Sequence, residues 1–187
     1  MRNIKRDNMS NVGRVLVFLF LLNNLTLSAQ GVPSKEHQIE AVFLFNFAQF
    51  VEWPAHALPK AEAPIIIGVL GKNVFGTFLN DVVANERVKD HPVIVKYYDT
   101  IDEITDCHIL FINYTDIRQW DEIIPKLKGR SILTVGDANR DLKQRSMVRF
   151  FTKDDKIRFQ IEPEAAKSAG LTISSKLLRL AENYNVN

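Results

Sequence analysis

The chain has 187 residues, enough for one domain with a substantial core. Hydrophobic residues make up 46% and charged residues 25%, a balance that excludes a disordered polar chain. The formal charge of +2 is carried by the N-terminus: without residues 1–29 the chain has 20 basic and 21 acidic residues, and nothing in it predicts a nucleic-acid binder.

Arg2, Lys5, Arg6 and Arg14 precede the apolar run VLVFLFLL (15–22), which is followed by TLSAQ. The uninterrupted run is short of the roughly 20 apolar residues that span a bilayer. Basic, then apolar, then small is the order of a secretory signal, so the sequence predicts export with cleavage after Ala29 and one domain over 30–187. An uncleaved anchor helix is the alternative. Cys107 is the only cysteine, which excludes an internal disulfide, and its apolar surroundings predict a buried, inert thiol.

Residues 35–51 predict a helix capped by Ser34, with Glu36 in its first turn. Ile39, Phe43, Phe47 and Phe50 follow helical spacing, and Val42, Leu44, Phe45 and Val51 widen the apolar stripe almost all round. A helix of this kind is central to a core or covered by a partner. Trp53-Pro54 ends it. PIIIGVL then predicts a strand, and NVFGTFLNDVVANE (73–86) a helix. VIVKYY (93–98) and CHILFIN (107–113) predict strands, the second apolar enough to be covered on both faces. TDIRQWDEIIPKLKG predicts a helix capped by Thr115, with Pro125 near its end, and SILTVGD (131–137) a strand. MVRFF and KIRFQI around TKDD predict a hairpin. EPEAAKSAG predicts a short helix between Pro163 and Gly170, and ISSKLLRLAENY a terminal helix capped by Ser174 or Ser175. The expected fold is one α/β domain. Its central sheet is mainly parallel with helices on both faces, followed by a C-terminal hairpin and terminal helix.

Catalytic chemistry finds little support. IIIGVLGKNVFG lacks the spacing of a P-loop and of the dinucleotide fingerprint, so Gly71 is expected to make a turn and Asn73 to cap the next helix. His37, His56, His91 and His108 lack metal-ligand spacing. His108 reads as a satisfied core residue, and His56 and His91 as solvated. No serine-hydrolase elbow is present. Asp137 ends a strand, where sheets of this type often place functional groups and where a turn carboxylate is equally at home. Asp154-Asp155 reads as a solvated hairpin tip. Arg149 and Arg158 alternate with apolar residues on the hairpin. They are candidates to bind an anion or a partner's carboxylate near Glu162, but ordinary charges on an exposed sheet face are favoured.

The helix AVFLFNFAQFVEWP, the strand CHILFI and the tail SILTVGD…MVRFFTKDDKIRFQIEPEAAKSAGLTISSKLLRLA together resemble the YfiR family of exported bacterial proteins, over residues 36–182. The resemblance implies a small periplasmic α/β protein with no established catalytic residues, and no metal or cofactor is expected. The best-known family member represses a membrane-bound diguanylate cyclase by binding its periplasmic part, which lowers cyclic-di-GMP and biofilm formation. An outer-membrane lipoprotein sequesters that repressor, and family members dimerise. Several relatives carry cysteine pairs, where this chain has Cys107 alone, and relatives commonly have Gly-Gly before the first hairpin strand, where this chain has Arg145-Ser146.

The expected function is therefore a non-enzymatic periplasmic regulator of an inner-membrane signalling protein, a diguanylate cyclase or sensor kinase. Its candidate surfaces are the helix around Phe47, Phe50 and Trp53 and the segment Leu171–Arg179, with Arg149, Lys176 and Arg179 as polar contacts. Core packing is the favoured role for both apolar stripes. The alternative is a small-molecule sensory module, with its ligand in a crevice between Gly71, Phe75 and Asp137.

Overall fold

The computed structural model describes residues 32–60, 62–114, 116–137 and 146–182. The predicted signal segment and Thr115 lie outside the described residues. Residues 31–187 cluster as one unit.

Helix α1 (Lys35–Phe50) starts at Ser34, whose hydroxyl accepts from the His37 N–H. The chain continues through β1 (Val51–Glu52), β2 (Ile65–Gly71), α2 (Phe78–Val83), β3 (Arg87–Val88), β4 (His91–Tyr98) and β5 (Ile109–Asn113). It goes on through α3 (Ile117–Leu127), β6 (Leu133–Asp137), β7 (Val148–Lys153) and β8 (Lys156–Ile161). It closes with α4 (Pro163–Ser168), β9 (Thr172–Ile173) and α5 (Ser175–Leu180). Among the described residues the main sheet has the order β3-β4-β2-β5-β6-β7-β8. The strands from β4 to β7 are parallel, and β3 and β8 lie antiparallel at the edges. The predicted mainly parallel α/β sheet, hairpin and terminal helix are all present.

The central strands are apolar on both sides because both sides are covered. On one face Ile67, Val69, Ile109, Phe111, Leu133 and Val135 meet Ala41, Leu44, Phe47 and Ala48 of α1 and Leu79 of α2. On the other, Leu70, Leu110 and Ile112 meet Trp120, Ile123 and Leu127 of α3. The hairpin extends the first core: Phe47 stacks on Phe150 at 5.8 Å between ring centroids and meets Phe159 edge-on at 5.3 Å. Its turn, Asp154-Asp155, has φ of 51° and 56°, the double positive pair of the turn that matches strand twist.

Several expectations change. The helix predicted over 73–86 forms only from Phe78 to Val83. Gly76, at φ 55°, breaks the first part, and Asn73 spends its side chain on a local turn instead of a cap. Helix α3 is capped by Asp116, which accepts from the Arg118 N–H, and runs through Pro125 to Leu127. Strand β1 pairs antiparallel with β9, a ribbon too short to leave a sequence period, and β3 escapes for the same reason.

Cys107 is a free, buried thiol, and burial pushes its pKa up to about 12. Its sulfur closes the space beside Gly68: a Cβ there would stand 2.8 Å from Cys107 Sγ, 2.9 Å from Tyr98 Cε2 and 3.0 Å from Leu110 Cδ1. Overpacking of this kind typically costs about 1–3 kcal/mol. Gly68→Ala is therefore expected to lower the unfolding free energy by that amount, read as a lower urea midpoint. An unchanged midpoint would show that the three neighbours move aside freely.

Candidate functional site

Strands β2, β5 and β6 end together at Gly71, Asn113 and Asp137. Gly71 has φ 90°, and a side chain there would meet Asn113 O at 3.0 Å and the Tyr114 ring at 3.1 Å. The turn that follows is self-contained. Asn73 Oδ1 accepts from the Phe75 N–H at 2.9 Å, and its amide donates to Gly76 O at 3.0 Å. The turn drives Phe75 inward to full burial, edge-on to Phe111 at 4.9 Å and to the His37 ring at 6.1 Å. Phe75 is thus a plug at the strand end.

Three residues on from His37, on the inner side of α1, Glu40 is only 4% exposed. Its Oε2 has no hydrogen-bond partner. Burial, then the Asp137 carboxylate and then Glu36 push its pKa up to about 8. Asp137 stands level with Phe150 in the sheet, on the side that α1 covers, and has polar contacts of its own. The structure therefore brings Asp137 to a buried carboxylic acid that the sequence reading passed over. Its sequence signal was available: positions 40, 44 and 47 share one helix face, and the other two are core residues.

Arg149 departs from the exposed sheet face favoured for it. It stands level with Gly136 and is 4% exposed. Its guanidinium donates to Gln160 Oε1 at 3.0 Å, directly across the hairpin, and lies 3.8 Å from Glu162 Oε1. The second contact is an ion pair too long for a hydrogen bond. A buried guanidinium requires such partners. Arg158 sits diagonally on the same hairpin face, exposed, 3.9 Å from Glu182.

Phe50 and Trp53 come together with the terminal segment. Phe50 O accepts from the Ser174 N–H at 2.9 Å, and the β1–β9 ribbon sets Val51 against Ile173. Trp53 is half-buried, its indole N–H donating to His108 O at 3.3 Å and its ring edge-on to His108. His108 is a satisfied core residue, as its sequence context predicts. Its Nδ1 accepts from the Ile66 N–H at 3.0 Å, so Nε2 carries the proton toward Ala57 O at 3.2 Å. Burial lowers its pKa. His91, expected in solvent, is half-buried with Nδ1 2.8 Å from Ala63 O. Lys176 and Arg179 stand exposed on α5, one residue to either side of the buried Leu177 and half-buried Leu178.

The most open apolar surface of α1 is elsewhere. Ile39 is 44% exposed and Val42 42%, and with Phe43 and Phe78 they line a shallow groove of about 540 Å³ edged by Lys35, Gln38 and Asn46. Among the described residues no helix is long and apolar enough to cross a membrane, and no three His, Cys, Asp or Glu side chains are placed to hold a metal. In comparisons with known proteins, the family described as YfiR/HmsC-like matches residues 37–182. No curated protein matches the chain.

Glu40 fixes the sign of one pH effect. Its folded pKa lies above the unfolded value of 4.5, so its contribution to stability is fully present below 4.5 and is lost as pH rises through about 8. The loss is on the order of a few kcal/mol. Glu40→Gln keeps the shape without the charge. It should therefore be more stable than the parent at pH 9, and its urea midpoint should change less between pH 5 and 9. Identical profiles for the two proteins would mean that Glu40 ionises without cost.

Proposed function

This chain belongs to the YfiR/HmsC-like family, and from that premise we propose that it is a non-catalytic periplasmic regulator that binds the periplasmic part of an inner-membrane signalling protein of the diguanylate cyclase type and holds it off. The observation that carries the reading is the outer face of α1. This helix is built into the core through Leu44 and Phe47, yet it leaves Ile39 and Val42 in water beside the half-buried Phe43 and Phe78. Fully burying a side chain of this size contributes about 1.5–3 kcal/mol, and the share that belongs to the exposed part of Ile39 and Val42 is unused in the free protein and available to a partner. The edge of the groove is polar and carries only one charge, Lys35, so shape and apolar contact select the partner there.

Repression then follows from linkage. A regulator that binds the inactive form of its partner better than the active form shifts the partner's equilibrium by that difference. Turning a mostly active cyclase mostly off takes a differential affinity of about 5.5 kcal/mol. Lower cyclic-di-GMP and less biofilm are the expected consequences. The exposed cations Lys176 and Arg179 are further contacts on this reading.

The test is capture of the cyclase from solubilised host membranes by residues 30–187, with cyclic-di-GMP measured in a deletion strain. Ile39→Ser with Val42→Asp removes exposed apolar surface and leaves the core alone, so the pair should fold normally and lose about tenfold or more in affinity. Undiminished capture by the double variant would remove α1 from the interface. Unchanged cyclic-di-GMP on deletion, with no cyclase captured, would sink the cyclase reading itself.

A further inference from the structure

We propose that the cavity between α3 and α4 binds a small amphipathic molecule whose polar end donates hydrogen bonds, a primary amine or alcohol on an apolar body. The cavity has a volume of about 570 Å³, the size of a small-molecule site. Its apolar wall is built by Ile124, Leu127, Ile132, Met147, Ala165 and Ala169.

Two polar atoms in this wall are left over by the fold. Ser146, 3% exposed, has a buried hydroxyl with no hydrogen-bond partner, and Glu162 Oε1 is buried with none either. Both residues line the cavity. An unsatisfied buried group costs about 1–3 kcal/mol, and here two of them share one cavity. Of the other polar groups on the lining, three are engaged and Lys128 stands exposed. Thr134 Oγ1 accepts from the Met147 N–H at 3.0 Å, Arg130 donates to Thr105 O at 2.9 Å, and Ser168 donates to Glu164 O at 2.8 Å.

The chemistry of the two leftover atoms selects the ligand. Glu162 Oε1 is a carboxylate oxygen that accepts and does not donate, and Ser146 does both. Arg149 forms an ion pair with Glu162 Oε1 at 3.8 Å and directs its hydrogen bond to Gln160. A ligand amine or hydroxyl supplies the missing donor once the Ser146 and Glu162 side chains turn their buried oxygens into the cavity. A carboxylate would face Glu162 as a like charge. The flexible thioether of Met147 lets the wall fit bodies of different outline. This site is separate from the outer face of α1 and does not depend on the partner proposed for it.

The chain has three methionines, and Met147 is the one that lines the cavity, so its methyl group is a local reporter. Methyl-labelled protein, purified as the cell makes it, would be titrated with benzylamine, benzyl alcohol and phenylacetate and followed by NMR. The Met147 signal should shift saturably with the amine and the alcohol, and phenylacetate should bind at least tenfold more weakly. Ser146→Ala should weaken both of the tighter ligands about tenfold. Ala165→Trp, which fills the cavity from an exposed position, should abolish the shift with the fold intact. No saturable shift with any of the three would overturn the proposal. So would tighter binding of phenylacetate than of benzylamine, or an unchanged titration in Ala165→Trp.

Discussion

Everything in this molecule depends on covering β2, β5 and β6 on both faces at once. These strands bury Ile67, Val69, Phe111 and Val135 on one side and Leu70, Leu110 and Ile112 on the other, so neither face can be left to water. The two covers are unequal. Helix α3 does its work with one narrow side, Trp120, Ile123 and Leu127, and shows a charged back to solvent. Helix α1 is apolar almost all round: Leu44 and Phe47 meet the sheet, Phe43 meets the hairpin aromatics, and Ile39 and Val42 stand partly in water. The surplus on α1 is what separates a structural helix from a candidate interface.

The same helix carries a conflict between local and global demands. Its inner side holds Glu40, where a leucine would cover the sheet more cheaply. Arg149 is a second buried ionisable side chain, but Gln160 and Glu162 meet it. Glu40 has an oxygen without a partner and Asp137 as an electrostatic neighbour, so the cover over one sheet face is weakest at the strand ends. A local opening of the α1 N-terminal half would begin there.

How much of this was legible depends on the range of the interaction. Strands β2, β5 and β6 announce themselves as apolar runs, and Ser34 and Ser174 as caps, because each signal lies within a few residues. The hairpin was legible for the same reason. The β1–β9 ribbon was not, since two residues on each side carry no period. The truncation of α2 turns on Gly76 and Asn73, which are compatible with a helix start until the φ of Gly76 is known. Arg149 looked like surface because its partners stand across a strand pair. Ser146 carries no local signal, because the cavity it lines is formed by α3 and α4, one before it and one after it in the chain. Among the candidate residues, Phe50, Trp53 and the terminal segment proved to be one neighbourhood, while Gly71 and Asp137 closed over a plug.

The distance along the chain between α1 and its partners has a consequence for how the protein is made. Phe43 and Phe47 pack on Phe150 and Phe159, and Val51 pairs with Ile173, so the first helix is completed by nearly the last residues of the fold. Synthesis runs in the other order. Until the hairpin arrives, α1 has no cover on its hairpin side, and contacts of such long range form slowly. The nascent protein therefore spends its early life with a sticky helix exposed, and a holding chaperone has its natural grip on α1.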